Sequence, residues 1–285
     1  MKQRIITGAF LVLFSLAVIF LSHTLVYPIV LTVLCVVGAR EMLKCTTSWK
    51  RPELAIPSML FALICPLLAY TYRYGVLIAV TLGYMFLLLV MLVFANEKLN
   101  LDKVCTTFVT IVYIAICFSC LIRLRYVTTV PGTNSGEIIG QYFYLLVFVA
   151  AWVTDTFAYF TGILLGKHKL CPKISPKKTV EGSIGGAAFC VIAFMIYGLA
   201  VSKINPDFVP NYVGLAFVGL FMSVLSQLGD LLASVIKRTY GVKDYGKLFP
   251  GHGGVLDRFD SVLITAPFLL LLVEDAQFLQ LIFKI

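Results

Sequence analysis

Charged side chains are scarce in this sequence: Asp, Glu, Lys and Arg together make up 13% of its 285 residues. Soluble domains carry roughly 25% charged residues. Hydrophobic residues make up 60% of the chain, and the mean hydropathy is +0.96. A water-soluble core cannot hide this much apolar surface. The sequence therefore excludes an ordinary soluble domain and predicts that lipid is the main solvent of the folded chain.

Several motifs of soluble enzymes are also missing. The sequence contains no G-x-x-x-x-G-K-[ST] phosphate loop and no H-E-x-x-H zinc motif. Of its eight cysteines, Cys117 and Cys120 form a single C-x-x-C pair, which we expect to pack in an apolar span rather than to bind metal. The net charge is +9, but no soluble basic stripe is interleaved with aromatic residues. We therefore expect no nucleic-acid partner.

Long apolar runs dominate the chain, in place of a 3.6- or 2-residue rhythm. They predict an all-α integral membrane protein, a polytopic bundle of about nine transmembrane helices with long cytoplasmic loops. The predicted spans are 5–22, 24–41, 54–72, 75–95, 104–122, 141–164, 184–201, 209–236 and 260–282. Span 24–41 is the weakest, because its apolar part is short and Arg40 and Glu41 lie at its end.

The distribution of Lys and Arg predicts the orientation, since cytoplasmic loops carry an excess of both. With nine spans, 18 of the 23 basic residues fall on the side of the N-terminus. We expect a cytoplasmic N-terminus, an external C-terminus and two long cytoplasmic loops, 165–183 and 237–259. No small-residue cleavage site follows the first apolar run, so we expect a retained helix. No long transit-type extension precedes this run, which favours a bacterial cytoplasmic (inner) membrane.

The composition of the predicted spans changes near position 140, after which they contain acidic residues. Residues 1–140 are expected to be packing helices that act as a scaffold, and residues 141–285 to be the catalytic region. Asp155 and Asp230 lie inside apolar spans of this second half. An acid at the centre of a membrane helix costs about 2.5–3.5 kcal/mol, which makes it a functional candidate by default. A helix-to-helix hydrogen bond or a structural ion pair is the alternative for both.

The loop that follows span 209–236 combines glycines, cations and acids. Gly251, Gly253 and Gly254 allow consecutive backbone N–H groups to approach a phosphate, and His252 between them is the one histidine in a chemical setting. Gln227, Asp230, Ser234 and Lys237 share one helix face. Asp257, Asp260 and Ser261 open the last span at helical spacing. Positive charge comes from a further set of side chains: Arg238, Lys243, Lys247 and Arg258.

A second basic segment, 167–186, joins five lysines to Ser175, Thr179 and a glycine-rich entry into span 184–201. Helix N-termini favour anions, but an ordinary positive-inside loop would have the same composition. Acids that face a phosphate repel it unless a hard cation intervenes, so acids and bases together predict Mg²⁺ held by carboxylates and substrate phosphates. In the alternative, Lys and Arg only neutralise the acids.

Three segments of the sequence resemble the phosphatidate cytidylyltransferase (CDP-diacylglycerol synthase) family. They are the run from Ser234 to Asp260 (S-V-I-K-R, four residues, then K-D-Y-G-K-L-F-P-G-H-G-G-V-L-D-R-F-D), the S-P-K-K-T-V-E-G run at 175–182, and D-T-F-A-Y from Asp155. The resemblance covers about 141–261 and shows no departure at a polar position. It implies that CTP and phosphatidate give CDP-diacylglycerol and pyrophosphate. It also implies a Mg²⁺ site, a second cation such as K⁺, and a homodimer in membrane lipid.

On this resemblance each candidate receives a role. Metal ligands are expected at Asp230, Asp257 and Asp260, with Asp155 assisting them and His252 in the catalytic group. Phosphate or other substrate contacts are expected at Ser175, Lys177, Lys178, Thr179, Ser234, Lys237, Arg238, Lys243, Lys247, Arg258 and the glycines 251, 253 and 254. The alternatives are a related enzyme for another lipid phosphate and a transporter. A transporter would place charges near the midplane in two halves, whereas here they cluster at one face of one half.

The predicted orientation can be tested with single cysteines in a background that lacks the native ones. A cysteine at Lys169 or Lys243 should resist an impermeant thiol reagent in intact cells and react once the membrane is opened, because both loops are expected to be cytoplasmic. A cysteine at Lys203 should show the reverse pattern. Labelling at Lys243 from outside intact cells would overturn the orientation.

Overall fold

The structure is a computed structural model that describes residues 2–71, 74–95, 99–127 and 139–284. The helices of this part of the chain are α1 Lys2–Phe20, α2 Val26–Cys45, α3 Pro52–Tyr70, α4 Tyr74–Phe94, α5 Leu101–Arg125, α6 Gly140–Leu165, α7 Val180–Ile204, α8 Tyr212–Thr239, α9 Leu256–Glu274 and α10 Ala276–Leu279. Two antiparallel strand pairs lie in the connections: β1 Lys169–Cys171 with β2 Ser175–Thr179, and β3 Val209–Pro210 with β4 Phe283–Lys284.

Helices α1 to α8 are each long and apolar enough to cross a membrane, and within the described ranges they are eight in number. At a rise of about 1.5 Å per residue, the 20 residues of α2 span about 30 Å. The apolar run near residues 24–41 is therefore long enough to cross. Large apolar side chains such as Phe86, Val93 and Leu164 are exposed on the outer faces of the helices, as lipid contact requires. The prediction of a polytopic helical membrane protein is confirmed.

The last predicted span, 260–282, is placed wrongly. Helix α9 begins at Leu256, carries three charged residues in its first two turns, and ends at Glu274. Asp275 lies outside the helix, and its carboxylate accepts the N–H of Phe278 at 3.3 Å in α10. Strand β4 then pairs with β3, so the end of the chain lies beside the segment that precedes α8.

The chain forms two compact units, and their boundary does not follow the division expected at residue 140. The first unit contains Met1–Arg123 and Lys237–Phe259, and the second contains Leu124–Ile236 and Asp260–Ile285. The glycine-rich loop between α8 and α9 thus belongs to the same unit as the N-terminal helices. The functional division into scaffold and catalytic region stays a prediction.

Polar side chains inside the first unit pair with one another across helices. The Ser58 hydroxyl lies 2.7 Å from the Tyr84 hydroxyl, and the Tyr84 ring stacks on Phe61 with ring centroids 4.5 Å apart. Ser48 and Thr107 make a second buried pair at 2.9 Å. Because lipid offers no hydrogen bonds, such pairs meet the needs of hydroxyl groups that would otherwise be costly to bury.

Glycines allow α6 and α7 of the second unit to pack closely. A Cβ at Gly186 would lie 2.7 Å from the carbonyl oxygen of Thr154, and a Cβ at Gly182 would lie 2.6 Å from that of Ala158. The four-residue spacing of these glycines is the small-residue pattern by which membrane helices approach each other. This packing fixes the α6 and α7 ends that flank the β1–β2 hairpin.

We expect Gly186→Ala to lower the stability of the protein by about 1–3 kcal/mol, because the new methyl group must push α6 and α7 apart. Thermal unfolding in detergent measures the effect. Gly83→Ala is the matched control, since nothing lies within 4 Å of its Cβ position in α4 and alanine favours a helix. Equal midpoints for both variants would contradict the close packing at Gly186.

Candidate active site

Asp257 lies at the start of α9 in the first unit and holds the preceding loop together. One carboxylate oxygen accepts the backbone N–H groups of Tyr245 and Gly254, both at 2.9 Å. The other oxygen lies 2.8 Å from Nζ of Lys237, in the last turn of α8. Because Asp257 is buried and receives three donors, the structure gives it the role of an organiser of the loop.

Lys237 is buried as well, in contrast to the usual behaviour of a lysine at a helix end. Its side chain is 11% exposed, and its ammonium group also lies 5.2 Å from the centre of the Tyr245 ring. A buried lysine requires such a partner, because an unpaired charge in an apolar setting is costly. The predicted contact of Lys237 with phosphate stays a prediction, and the structure shows the pair with Asp257.

The three glycines of the loop serve different purposes. Gly251 and Gly253 have φ values of 76° and 83°, which side-chain-bearing residues rarely adopt. His252 is half-buried between them, and its backbone N–H donates to the carbonyl oxygen of Phe249 at 2.8 Å. The backbone N–H of Gly254 donates to the Asp257 carboxylate. The expected row of N–H groups open to a phosphate is therefore shortened, since two of its members already have partners inside the loop.

Glu41 contacts this loop from α2, and the sequence analysis did not predict the contact. Its carboxylate accepts the N–H of Val255 and the N–H of Leu256, each at 3.0 Å. Next to Arg40 at the end of an apolar run, it resembles an ordinary polar helix end. Nothing in the sequence around it indicates a contact with residues 255 and 256, which lie more than 200 positions further along the chain.

The cations predicted to bind phosphate lie mostly on the exposed side of the same unit. Lys243, Lys247 and Arg258 are exposed, as is Arg238, whose guanidinium lies 3.4 Å from the carbonyl oxygen of Val242. The two buried acids Glu41 and Asp257 face backbone N–H groups instead. This arrangement separates the charges: acids hold the loop from within, and cations are presented outward to an anion.

A second cluster lies in the second unit, on α8. Nζ of Lys178 lies 2.6 Å from one oxygen of Asp230, and the Ser234 hydroxyl lies 3.4 Å from the other. Asp230 and Lys178 are both about a quarter exposed, at 29% and 25%. The structural ion pair that the sequence left open as an alternative is thus present, and partial exposure leaves this carboxylate within reach of a ligand.

Helix α9 enters this second cluster through Ser261, whose hydroxyl donates to the Asp155 carboxylate at 3.2 Å. The Asp260 carboxylate accepts the Ser261 N–H at 2.9 Å. A Cβ at Gly229 would lie 2.6 Å from the Asp260 carbonyl oxygen, so α8 and α9 run close together here. Within the second unit, the structure therefore brings Asp155, Asp230, Asp260 and Ser261 into one region.

The S-P-K-K-T segment forms strand β2 of the β1–β2 hairpin. Ser175 is half-buried and Lys177 exposed, whereas Thr179 is buried and accepts the N–H of Gly182 at 3.1 Å as the N-cap of α7. Thr179 therefore has a structural role. Glu181 closes the hairpin by accepting the N–H groups of Lys167 and His168.

The donor set fits a hard cation only in part. Among the described residues no three His, Cys, Asp or Glu side chains form a group that could hold a metal. Mg²⁺ commonly uses one or two carboxylates and takes its other ligands from substrate phosphates and water. Such a site is compatible with Asp230 and its neighbours, whereas the acceptors of Asp257 are already in use.

Comparison with known proteins identifies the family of this chain. The model of the cytidylyltransferase family matches residues 2–275. A phosphatidate cytidylyltransferase of Bacillus subtilis (strain 168) is 34% identical over 281 residues, which cover 96% of this chain and 97% of the relative. Phosphatidate cytidylyltransferases of Staphylococcus haemolyticus (strain JCSC1435) and Staphylococcus aureus (strain COL) are 46% and 48% identical over 134 and 137 residues, covering 47% and 48% of this chain and 50% and 51% of those proteins.

The family match extends over both compact units, and the long alignment with the Bacillus subtilis protein includes the two helices that bear Asp230 and Asp257. The chain therefore belongs to the cytidylyltransferase family.

Proposed function

We propose that this chain transfers the cytidylyl group of CTP to phosphatidate and releases pyrophosphate, which gives CDP-diacylglycerol. The observation that carries the proposal is a sequence identity of 34%, over 96% of the chain, to the Bacillus subtilis protein named phosphatidate cytidylyltransferase. The site agrees with it, because exposed cations and partly exposed carboxylates occur at the ends of membrane-spanning helices. A site for a lipid phosphate and a nucleoside triphosphate requires both the cations, which can contact phosphate, and the carboxylates, which can hold a metal ion.

The reaction needs little covalent help from the protein. An oxygen of the phosphatidate phosphate attacks the α-phosphorus of CTP, and the bond from that phosphorus to the pyrophosphate leaving group breaks. The attacking phosphate is already ionised at neutral pH, so no strong general base is required. Catalysis then reduces to positioning the two anions and neutralising their charge.

Exposed cations of the loop are suited to this task. Lys243, Lys247 and Arg258 present positive charge outward while Asp257 fixes the loop from within. Arginine grips a phosphate through two parallel N–H donors, and lysine acts as a point charge. Lys177 and Lys178 of β2 supply further cations in the second unit. We assign the phosphates of the two substrates to these side chains.

Mg²⁺ would be held by Asp230 and Asp260, with Asp155 assisting through Ser261. When bound, the ion neutralises phosphate oxygens and so permits carboxylates and substrate to coexist. Asp257 would act within the first unit, where its oxygens hold Lys237 and the loop N–H groups and so support the exposed cations of the loop. A second cation such as K⁺ and a homodimer remain proposals that rest on the family resemblance.

The site is proposed to face the cytoplasm of a bacterial cell, in its cytoplasmic membrane. Two observations support this orientation: the bias of Lys and Arg toward one side of the spans, and a substrate, CTP, that is cytoplasmic. In the same scheme the N-terminus is cytoplasmic, and the paired strands β3 and β4 lie at the opposite ends of α8 and α9 from the loop.

The reaction is tested with purified protein in detergent, supplied with Mg²⁺, labelled CTP and phosphatidate. We expect labelled CDP-diacylglycerol and pyrophosphate in equal amounts. Product with ATP but not with CTP would sink the assignment. Parallel assays with an ether or isoprenoid lipid phosphate distinguish the related enzyme that acts on another lipid, since that enzyme would prefer one of these acceptors.

Removal of single carboxylates distinguishes the role proposed for Asp230, as a metal ligand, from that proposed for Asp257, which holds the loop. Asp230→Asn and Asp257→Asn should each lower turnover by about 10²-fold or more, judging by the loss of one preorganised electrostatic group. Asp230→Asn should also raise the Mg²⁺ concentration needed for half-maximal activity, whereas Asp257→Asn should lower the thermal midpoint. Asp102→Asn, at an exposed acid in the first turn of α5, is the control. Near-normal turnover of both variants would return these acids to purely structural roles.

A further inference from the structure

Glu41 connects two parts of the sequence that lie far apart. Its oxygens Oε1 and Oε2 accept the N–H groups of Val255 and Leu256, residues that lie 214 and 215 positions further along the chain. The two bonds have the same length, 3.0 Å, and use both oxygens of one carboxylate. Glu41 is itself 7% exposed. A buried carboxylate with two backbone donors is a rigid anchor, because its charge has no other good environment.

The loop is shaped around this carboxylate. A Cβ at Gly254 would lie 2.3 Å from Glu41 Oε1 and 2.5 Å from Oε2, and a Cβ at Gly246 would lie 2.3 Å from Oε1. Two glycines of the loop thus make room for one acid of α2. One turn earlier on α2, Gly38 admits the Leu256 side chain, which would lie 3.0 Å from a Cβ there. The last turns of α2 and the start of α9 fit each other over both polar and apolar surface.

Glu41 lies where an anion could otherwise bind to backbone N–H groups at the start of α9. The first N–H groups of a helix lack partners within the helix and attract anions. At the start of α9 three neighbouring donors are taken by the protein itself: Glu41 accepts from Val255 and Leu256, and Asp257 accepts from Gly254. Fewer backbone N–H groups are therefore left for a substrate phosphate here, and side chains have the larger part in holding it.

One such side chain follows directly in the sequence. Arg258 is exposed, and its own N–H donates to the carbonyl oxygen of Val255 at 3.0 Å. Its backbone is thus bound to a residue that Glu41 holds. Fixing the N–H groups of residues 255 and 256 fixes the point from which the guanidinium extends.

We infer that Glu41 is a positioning residue for the nucleotide: by anchoring Val255 and Leu256, it holds the loop in the one arrangement that presents Arg258 and the loop lysines to the triphosphate. The inference rests on the proposed function for its kinetic part. It moves one determinant of CTP affinity to α2, in the half of the chain that was expected to be scaffold.

Glu41→Gln is the principal variant, because it keeps the size of the side chain but turns one acceptor oxygen into an NH₂ group that faces a backbone N–H. We expect the KM for CTP to rise about tenfold, the KM for phosphatidate to stay within about twofold, and the change in kcat to be smaller than that in KM. Gly246→Ala disturbs the same carboxylate from the loop side and should give the same pattern. Glu53→Gln, at a half-buried acid in the first turn of α3 in the same unit, is the matched control and should leave both KM values unchanged.

Hydrogen exchange provides a measurement that does not depend on activity. In Glu41→Gln, a peptide that covers residues 250–260 should exchange faster than in the wild type, by about tenfold at the anchored amides, while Glu53→Gln should match the wild type. If the wild type fails to use CTP but this exchange difference is present, the proposed reaction is wrong and the anchor stands. Unchanged exchange in Glu41→Gln overturns the anchor. A lower thermal midpoint with both KM values unchanged overturns the positioning role.

Discussion

The constraint on which this structure depends is that a charge removed from water must meet its partners inside the protein. A carboxylate in an apolar setting is costly unless donors surround it, and in lipid even a backbone N–H requires an internal acceptor. The loop between α8 and α9 satisfies both demands at once. Its N–H groups at Tyr245, Gly254, Val255 and Leu256 are the donors that Asp257 and Glu41 need. The irregular backbone and the buried acids stabilise each other, and neither would be tolerated alone.

This exchange means that the buried acids do not pair with the exposed cations of the loop, as the proposed binding of a nucleotide requires. If the buried acids were paired with Lys243, Lys247 or Arg258, the charge of those side chains would already be neutralised. Among Lys237, Arg238, Lys243, Lys247 and Arg258, only Lys237 is buried. In the second unit Lys178 and Asp230 do pair, at 2.6 Å, and their partial exposure means that an anion and a hard cation could each replace one partner. The two units thus differ in the surroundings of their acids. In the first unit Glu41 and Asp257 are buried in fixed contacts, and in the second Asp230 is partly exposed in an ion pair with Lys178.

Most of the helices could be predicted from the sequence because apolar length alone defines a membrane span; α6 begins and ends within one residue of its predicted bounds. The end of α9 could not, since the apolar residues continue after Asp275 and only the pairing of β3 with β4 shows that the chain has turned. Motifs singled out the candidate side chains, whose functional roles stay predictions, but not the contacts that these side chains make. Asp257 has the residue type of a metal ligand, and its three donors come from residues whose arrangement no spacing rule provides. Glu41 lacked any local signal, because its partners are distant in sequence.

The division of the first unit into two separate stretches has a consequence for biosynthesis. Met1–Arg123 leaves the ribosome first, yet the unit is complete only when Lys237–Phe259 has followed. At roughly 5–20 residues per second, the 214 positions between Glu41 and Val255 take about 10–40 s to translate. During that interval the Glu41 carboxylate has neither of its two native donors. The N-terminal helices are therefore made well before this carboxylate can meet its donors, and a nascent chain interrupted before residue 255 lacks both contacts of Glu41.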